Sequence, residues 1–380
     1  MDSYGSILIS TTKKDRVKVS KWISTITLII MALITWILTK FASSNPVIVE
    51  KLYSSTLYPY IGKGIGFISN IFPFSLGEIF LMMLVALVII SVVLIILKPR
   101  IFINNINRVF HWVVRFLAIS YILFYFLWGF NYYRMDYMDL TNMNYESGTI
   151  EDLKELSIEI INNLNNIRVN LFEDADGVFF IEDNFQDLSI QAQRGFDDFM
   201  VGTLNLDGNY GRAKPILLSR RLSYTGIMGI YFPFTSEANI NTDIPHHDLL
   251  STISHEMAHQ HGFAKEEEAN FIAYKASINN PDERFKYSGY YLAMKHLMNE
   301  VYMEDPEVYH YLFTIISDGV KRDMNSGRDY WKSKEGKVEE VTTTMNDNYL
   351  KANNQEQGIR SYNEVVRLLL SEYKSMKGNE

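Results

Sequence analysis

Hydrophobic positions along the chain follow two regimes, the first continuous and the second periodic. Three stretches run almost without charge: Trp22 to Thr39, Ile79 to Leu97 and Phe116 to Tyr133. Each holds about 18–19 residues, the length a helix needs to cross the hydrocarbon layer of a bilayer. A single run of this kind could be a buried helix of a water-soluble domain. Three of them early in the chain, with Trp and Tyr at several ends, favour membrane spans instead. The pattern predicts transmembrane helices over residues 22–40, 78–97 and 114–133.

Beyond Tyr133 the apolar residues become periodic. Ile150 to Asn165 and Asp183 to Met200 read as amphipathic helices. Pro215 to Leu218 and Gly229 to Phe234 are short runs bounded by Gly, Pro and Thr, which suits strands. From His247 onward helical patterns dominate. The expected fold class is therefore α+β: three N-terminal transmembrane helices, then a mostly helical domain with a small β-sheet. The expected division is a membrane anchor over 1–134 and a domain of ordinary size over 135–380.

Charge adds an orientation. The N-terminal tail carries Lys13, Lys14, Arg16, Lys18 and Lys21, and the second inter-span segment carries Lys98, Arg100, Arg108 and Arg115. The longer first segment carries only Lys40, Lys51 and Lys63. Basic residues stay on the cytoplasmic side, so the N-terminus is expected in the cytoplasm and everything after Tyr133 outside it. The first run is long and lacks a small-residue cleavage site, unlike a signal peptide. The 380 residues include no cysteine, which excludes disulfides, a thiolate zinc site and a cysteine nucleophile. A net charge of -8 without a basic block argues against nucleic acid as a partner and leaves the lipid bilayer as the expected one.

Chemistry concentrates in one place. Five of the eight histidines fall between positions 246 and 261, and among them stands His255-Glu256-Met257-Ala258-His259. Residues four apart share a helix face, so His255 and His259 can chelate one cation through neutral imidazoles. Glu256, one position on, lies beside the ion and can take a proton from a water that the ion acidifies. Leu249, Leu250, Ile253 and Met257 supply a buried face, Asp248 is the expected N-cap, and Gly262 stands where a left-handed C-terminal cap belongs. A catalytic zinc needs three protein ligands and one open position. After the Gly262 turn, a second helix from Lys265 to Tyr274 puts Glu266, Ala269, Asn270 and Ala273 on one face. Glu266 is the expected third ligand, with Glu268, Glu267 and His261 as alternatives, and Asn270 is placed to hydrogen-bond a ligating histidine.

His-Glu-Met-Ala-His followed by Glu266-x-x-Ala269-Asn270 resembles the gluzincin group of zinc metallopeptidases. In that group a glutamate on a later helix completes the site, and an Asp or Asn four residues on supports it. The spacing from His259 to Glu266 is shorter here than in thermolysin-like members. The third histidine of the metzincins would fall on Lys265, which disfavours that group. More closely, the chain resembles uncharacterised bacterial membrane proteins with three N-terminal spans and a zincin-like C-terminal domain. Phe72-Pro73-Phe74-Ser75-Leu76-Gly77-Glu78, Trp128-Gly129-Phe130-Asn131-Tyr132-Tyr133-Arg134, Pro233 to Asn241, His255 to Tyr274, and Asn346 to Tyr362 carry that resemblance. It implies a multi-pass protein of the bacterial cell membrane.

The expected function is a membrane-anchored, Zn2+-dependent hydrolase of peptides or proteins, with Glu256 as general base. Ile227 to Asn241 could supply an edge strand for an extended substrate. Glu237, Tyr349 and Tyr362 are candidate substrate or transition-state contacts, and His296 and His310 further candidate donors. His246 and His247 read as loop residues, and His111 as an interfacial one. Two other readings stay open: a catalytically silent zincin-like domain for binding or sensing, and a zinc hydrolase of non-peptide amides.

Overall fold

The structure, a computed structural model, describes residues 13–143, 148–197, 199–201, 204–353 and 364–377. The chain forms two compact units, Met1–Ser44 with Met82–Phe126, and Asn45–Leu81 with Leu127–Glu380. Among the described residues, three helices are long and apolar enough to cross a membrane: Lys21–Ser43, Leu76–Leu97 and Pro99–Leu127. They mark the chain as a membrane protein.

In the first unit, His111 is buried against a neighbouring helix. Its Nδ1 lies 3.0 Å from the Thr25 hydroxyl, which also accepts a hydrogen bond from Arg115 Nε at 2.8 Å. The third long helix starts at Pro99 and stops at Leu127, six residues short of the expected end at Tyr133. Gly129–Tyr133 instead form a short 3-10 turn. Trp128, Asn131 and Tyr132, which a hydropathy reading assigns to a membrane border, are buried in the second unit. Aromatic rings suit a protein core as well as a lipid interface.

The second unit does not begin at residue 135. It includes the segment between the first two long helices, which is helical from Pro46 to Ser69. The middle of that run, Glu50–Leu57, is a π-helix, and α-helices Pro46–Val49 and Tyr58–Ser69 flank it. The polar and small residues Glu50, Ser54, Gly62, Gly66 and Ser69 face inward.

Five strands are present among the described residues. β1 (Met200–Val201) and β2 (Leu204–Asn205) form a two-residue antiparallel ribbon. β3 (Lys214–Pro215), β4 (Gly229–Phe232) and β5 (Glu237–Ile240) form a sheet of order β3-β5-β4, with β3 parallel and β4 antiparallel to β5. The sequence pattern overextends both of its strand runs. Pro233 has no N–H to continue a ladder, so β4 stops at Phe232 and turns through Ser236, at φ 53°, into β5. Pro215 ends β3, and helix Ser219–Leu222 follows shortly.

The remaining helices build the core. Ile150–Arg168 starts at Thr149 with a reciprocal cap to Asp152. The expected helix over Asp183 to Met200 is shorter, Phe185–Ala192, capped by Asn184 and closed by a tight turn at Gln193–Gly195. A side chain at Gly195 would stand 2.2 Å from the Ala276 carbonyl, so only glycine allows this approach. The motif helix, His246–Gln260, packs on Glu266–Asn279 and Glu283–Glu304 through Leu250, Ile253, Met257, Phe271, Ile272 and Leu297. Ser251, Ser254, Ser277 and Ser288 let these helices approach closely and bond one another between them. His246 and His247 are the first helical residues, not loop, and Pro245 is the N-cap in place of Asp248. Asp248 lies in the first turn, and its carboxylate pairs with Lys295 Nζ at 2.9 Å.

Candidate metal centre

The motif helix ends as its sequence dictates. Gly262 adopts φ +86°, and the chain reverses into helix Glu266–Asn279. That reversal carries Glu266 back over the histidine face. His255 Nε2 lies 3.3 Å from Glu266 Oε2, and His259 Nε2 lies 3.7 Å from Glu266 Oε1. One ligand atom from each of the three falls within 4.8 Å of the others, the one such group of three among the described residues. Donors about 2.1 Å from a tetrahedral zinc ion are roughly 3.4 Å apart, close to the two histidine–carboxylate separations. Two imidazoles and a carboxylate are also a donor set that zinc accepts.

His259 is oriented from behind. Its Nδ1 meets the Phe263 carbonyl at 2.6 Å, which leaves Nε2 to face Glu266. Asn270 lines the cavity with His255. Burial pushes His259 down to about 4, so its ring is neutral and ready to donate a lone pair. For His255, burial works in the same direction, but Glu266, Glu256 and Asn270 outweigh it and hold the ring above its ordinary value.

Glu256 is buried on the adjoining face, and its Oε2 has no hydrogen-bond partner. Burial, opposed by His255 and reinforced by Glu266, pushes its carboxyl up to about 8; the Tyr231 backbone N–H holds it lower than burial alone would. β4 passes so close that a side chain on Gly229 would come within 2.4 Å of Glu256 Oε1. A cavity of about 410 Å³ opens here, and His255, Glu256, His259, Glu266, Asn270, Tyr349 and residues Gly226 to Tyr231 all line it.

Other predicted residues fall elsewhere. Glu237 does not line this cavity. It is 1% exposed and accepts hydrogen bonds from the backbone N–H groups of Leu76 and Gly77, from Thr235 Oγ1 and from Lys214 Nζ. It therefore caps the start of helix Leu76–Leu97, where a negative charge meets unpaired amides. Glu268 Oε1 accepts from the Tyr137 N–H at 2.7 Å, away from the histidines. The buried His261 ring stacks on Phe196 at 4.6 Å. His310 is exposed, with Nδ1 against its own helix at the Pro306 carbonyl. Tyr349 does reach the cavity, and its hydroxyl accepts from Tyr132 at 3.0 Å. Burial pushes Tyr349 up to about 12, so it carries its proton at neutral pH. Tyr362 lies outside the described residues.

Three further residues hold the end of the motif helix, and the sequence pattern does not single them out for that role. The last carbonyls of a helix lack intrahelical partners. Trp128 Nε1 donates to the His259 carbonyl at 3.0 Å, and the Tyr58 hydroxyl donates to the Gln260 carbonyl at 2.7 Å. Arg134 donates to the Gly262 carbonyl at 3.0 Å, stacks on Phe263, and makes a bidentate pair with buried Glu50 at 2.8 and 3.0 Å. Trp128 and Arg134 bracket the Trp-Gly-Phe-Asn-Tyr-Tyr-Arg segment, and Tyr58 and Glu50 come from the first inter-span segment.

Comparison with curated proteins and with solved structures gives no match. One family model does match, from residue 53 to residue 370, and so takes in Tyr58, Trp128, Arg134 and the whole cavity wall. The chain belongs to the family described as "Protein of unknown function (DUF3810)".

Proposed function

We propose that this protein is a membrane-anchored zinc-dependent hydrolase acting on peptides, with His255, His259 and Glu266 as metal ligands and Glu256 as general base. The observation that carries the reading is the convergence of three ligand atoms within 4.8 Å, beside a buried carboxylate with an unpartnered oxygen. A zinc ion held there would supply Lewis acidity, drawing the pKa of a water toward neutrality and polarising a carbonyl. Glu256 takes the proton of the attacking water as the carbon–oxygen bond forms, then delivers it to the amine nitrogen as the carbon–nitrogen bond breaks. A nearby cation stabilises the ionised carboxylate, which offsets the upward push that burial gives it. Tyr349 and Tyr132, hydrogen-bonded on the opposite wall, offer a protonated hydroxyl to the oxyanion.

The sheet favours a peptide over a compact substrate. β4 is an edge strand, and Gly229, Ile230 and Tyr231 line the cavity, so an extended chain can lie along it through main-chain hydrogen bonds. Metal analysis of the purified full-length protein tests the reading. Roughly one zinc per chain is expected, lost in His255→Ala and in Glu266→Ala. Glu256→Gln should keep the metal while turnover of a quenched peptide library drops by about 10²–10⁴. Full turnover in Glu256→Gln, or full zinc in Glu266→Ala, overturns it.

A further inference from the structure

The helical run from Pro46 to Ser69 leaves an apolar face uncovered. Its inner side, against the rest of the unit, carries Val49, Glu50, Tyr53, Ser54, Tyr58, Gly62 and Gly66. Its outer side carries large apolar residues, continuing past the helix end to Ile71. Leu52 is 68%, Phe67 75% and Ile71 69% exposed, and Ile48, Leu57 and Ile68 share that outward side. A surface helix in water shows the opposite pattern, with charge outward. Here the outward charge is limited to Lys51, with half-buried Lys63 further along the run, and Tyr60 stands 80% exposed between them in sequence.

Chain connectivity says what covers this face. The run begins at Pro46, just after helix Lys21–Ser43, and the chain enters helix Leu76–Leu97 soon after Phe72. Both flanking helices are long and apolar enough to cross a bilayer, so the segment is tied to the lipid surface at both ends. Lysines beside an apolar stripe, with an exposed tyrosine, are the composition of a helix lying in a headgroup layer. We propose that the outer face of residues 46–72 is a lipid-binding surface, immersed at the boundary between headgroups and acyl chains. The inner face of the same helix supports the metal centre, through Tyr58 on the Gln260 carbonyl and Glu50 on Arg134. The lipid-facing helix is thereby also the floor on which the motif helix rests. The lipid contact itself does not depend on the catalytic reading.

The absence of cysteine makes the test clean, because one introduced thiol is the only thiol. Leu52→Cys, Phe67→Cys and Ile71→Cys, each labelled with an environment-sensitive nitrobenzoxadiazole dye, are compared with Arg328→Cys in the full-length protein. The protein is held in nanodiscs of phosphatidylcholine and phosphatidylglycerol. At the three outward positions the expected result is blue-shifted emission, quenched several-fold more by spin-labelled lipid than by aqueous iodide. Arg328→Cys should show the reverse. Iodide quenching at all three matching the Arg328 position overturns the proposal. Protection from both quenchers overturns it as well, since a protein partner or a second copy would then cover the face.

Discussion

The motif helix His246–Gln260 buries Asp248, Ser251, Thr252, Ser254, Glu256 and His259, while the run Pro46–Ser69 leaves Leu52, Leu57 and Phe67 uncovered. Both belong to one compact unit, and the Tyr58 hydroxyl joins them through the Gln260 carbonyl. In the first, burial of polar side chains is offset by the partners they meet inside. Asp248 meets Lys295, Ser251 meets Ser288, and His259 meets Phe263 and Glu266. In the second, the buried row mixes Glu50, Tyr53 and Tyr58 with Ser54, Gly62 and Gly66, which permit close approach, while a row of large apolar side chains is left outside. The pair shows that a helix's buried face is set by what surrounds it, and that hydropathy alone cannot name that face.

The strongest way to break this relationship is at the ion pair that ties the inter-span run to Arg134, the residue that also holds the Gly262 carbonyl after the motif helix. Arg134→Met leaves the Glu50 carboxylate buried without its cation, which should cost about 3–5 kcal/mol. On a unit of this size the thermal midpoint of the detergent-solubilised chain should fall on the order of 10 °C. An unchanged midpoint would show that the inter-span segment does not brace the rest of the unit.

A second test sharpens the account of buried polarity around the motif. Asn270→Ala removes the amide that lines the cavity with His255 and should weaken zinc binding by about 10–100-fold, read by chelator competition. The pH dependence carries a sign. His255 must be neutral to bind metal, and its proton is held above the ordinary imidazole value. Affinity should therefore be pH-independent above that raised pKa and fall by about tenfold per unit below it. Because Asn270 contributes to the raised value, the break should move to lower pH in Asn270→Ala. His259, pushed down to about 4, should contribute a second break only near that pH. A single break below pH 5 in the unaltered protein would contradict the Glu266–His255 contact.

The finest comparison lies within the inter-span helix itself. Tyr58→Phe removes one oxygen and leaves the buried Gln260 carbonyl without its donor, an expected loss of about 1–3 kcal/mol. Lys51→Gln, on the outward side, should change stability by no more than about 0.5 kcal/mol. Equal effects from the two, measured by thermal unfolding, would erase the distinction between the faces.

Much of this molecule was legible from its residue pattern. The two histidines at helical spacing, the Gly262 reversal and the second helix with Glu266 and Asn270 on one face are local features, and local spacing determines them. The spans were legible as existing helices, but the end of the third was not. Trp128 to Tyr133 is apolar whether it meets lipid or core, and only long-range packing distinguishes the two. Glu237 misled for a related reason: an acidic residue beside a motif looks chemical until its partners appear, and those at Leu76 and Gly77 are 160 positions away or more. Tyr58, Trp128 and Arg134 were unreadable as supports of the motif helix because the partners through which they hold it are backbone carbonyls, which carry no sequence signature.

The π-helical stretch Glu50–Leu57 has a consequence for how this chain can vary in length. The inward residues Glu50, Ser54, Tyr58, Gly62 and Gly66 recur every fourth position. On an ordinary α-helix each such step overshoots a full turn by about 40°, so the inward row would wind away from its neighbours. A wider turn undershoots instead, and eight residues of it cancel the drift accumulated further on. The stretch thus acts as a phase corrector, and losing one residue from it would send Tyr58 and the glycines round to the wrong side while leaving composition and hydropathy almost untouched.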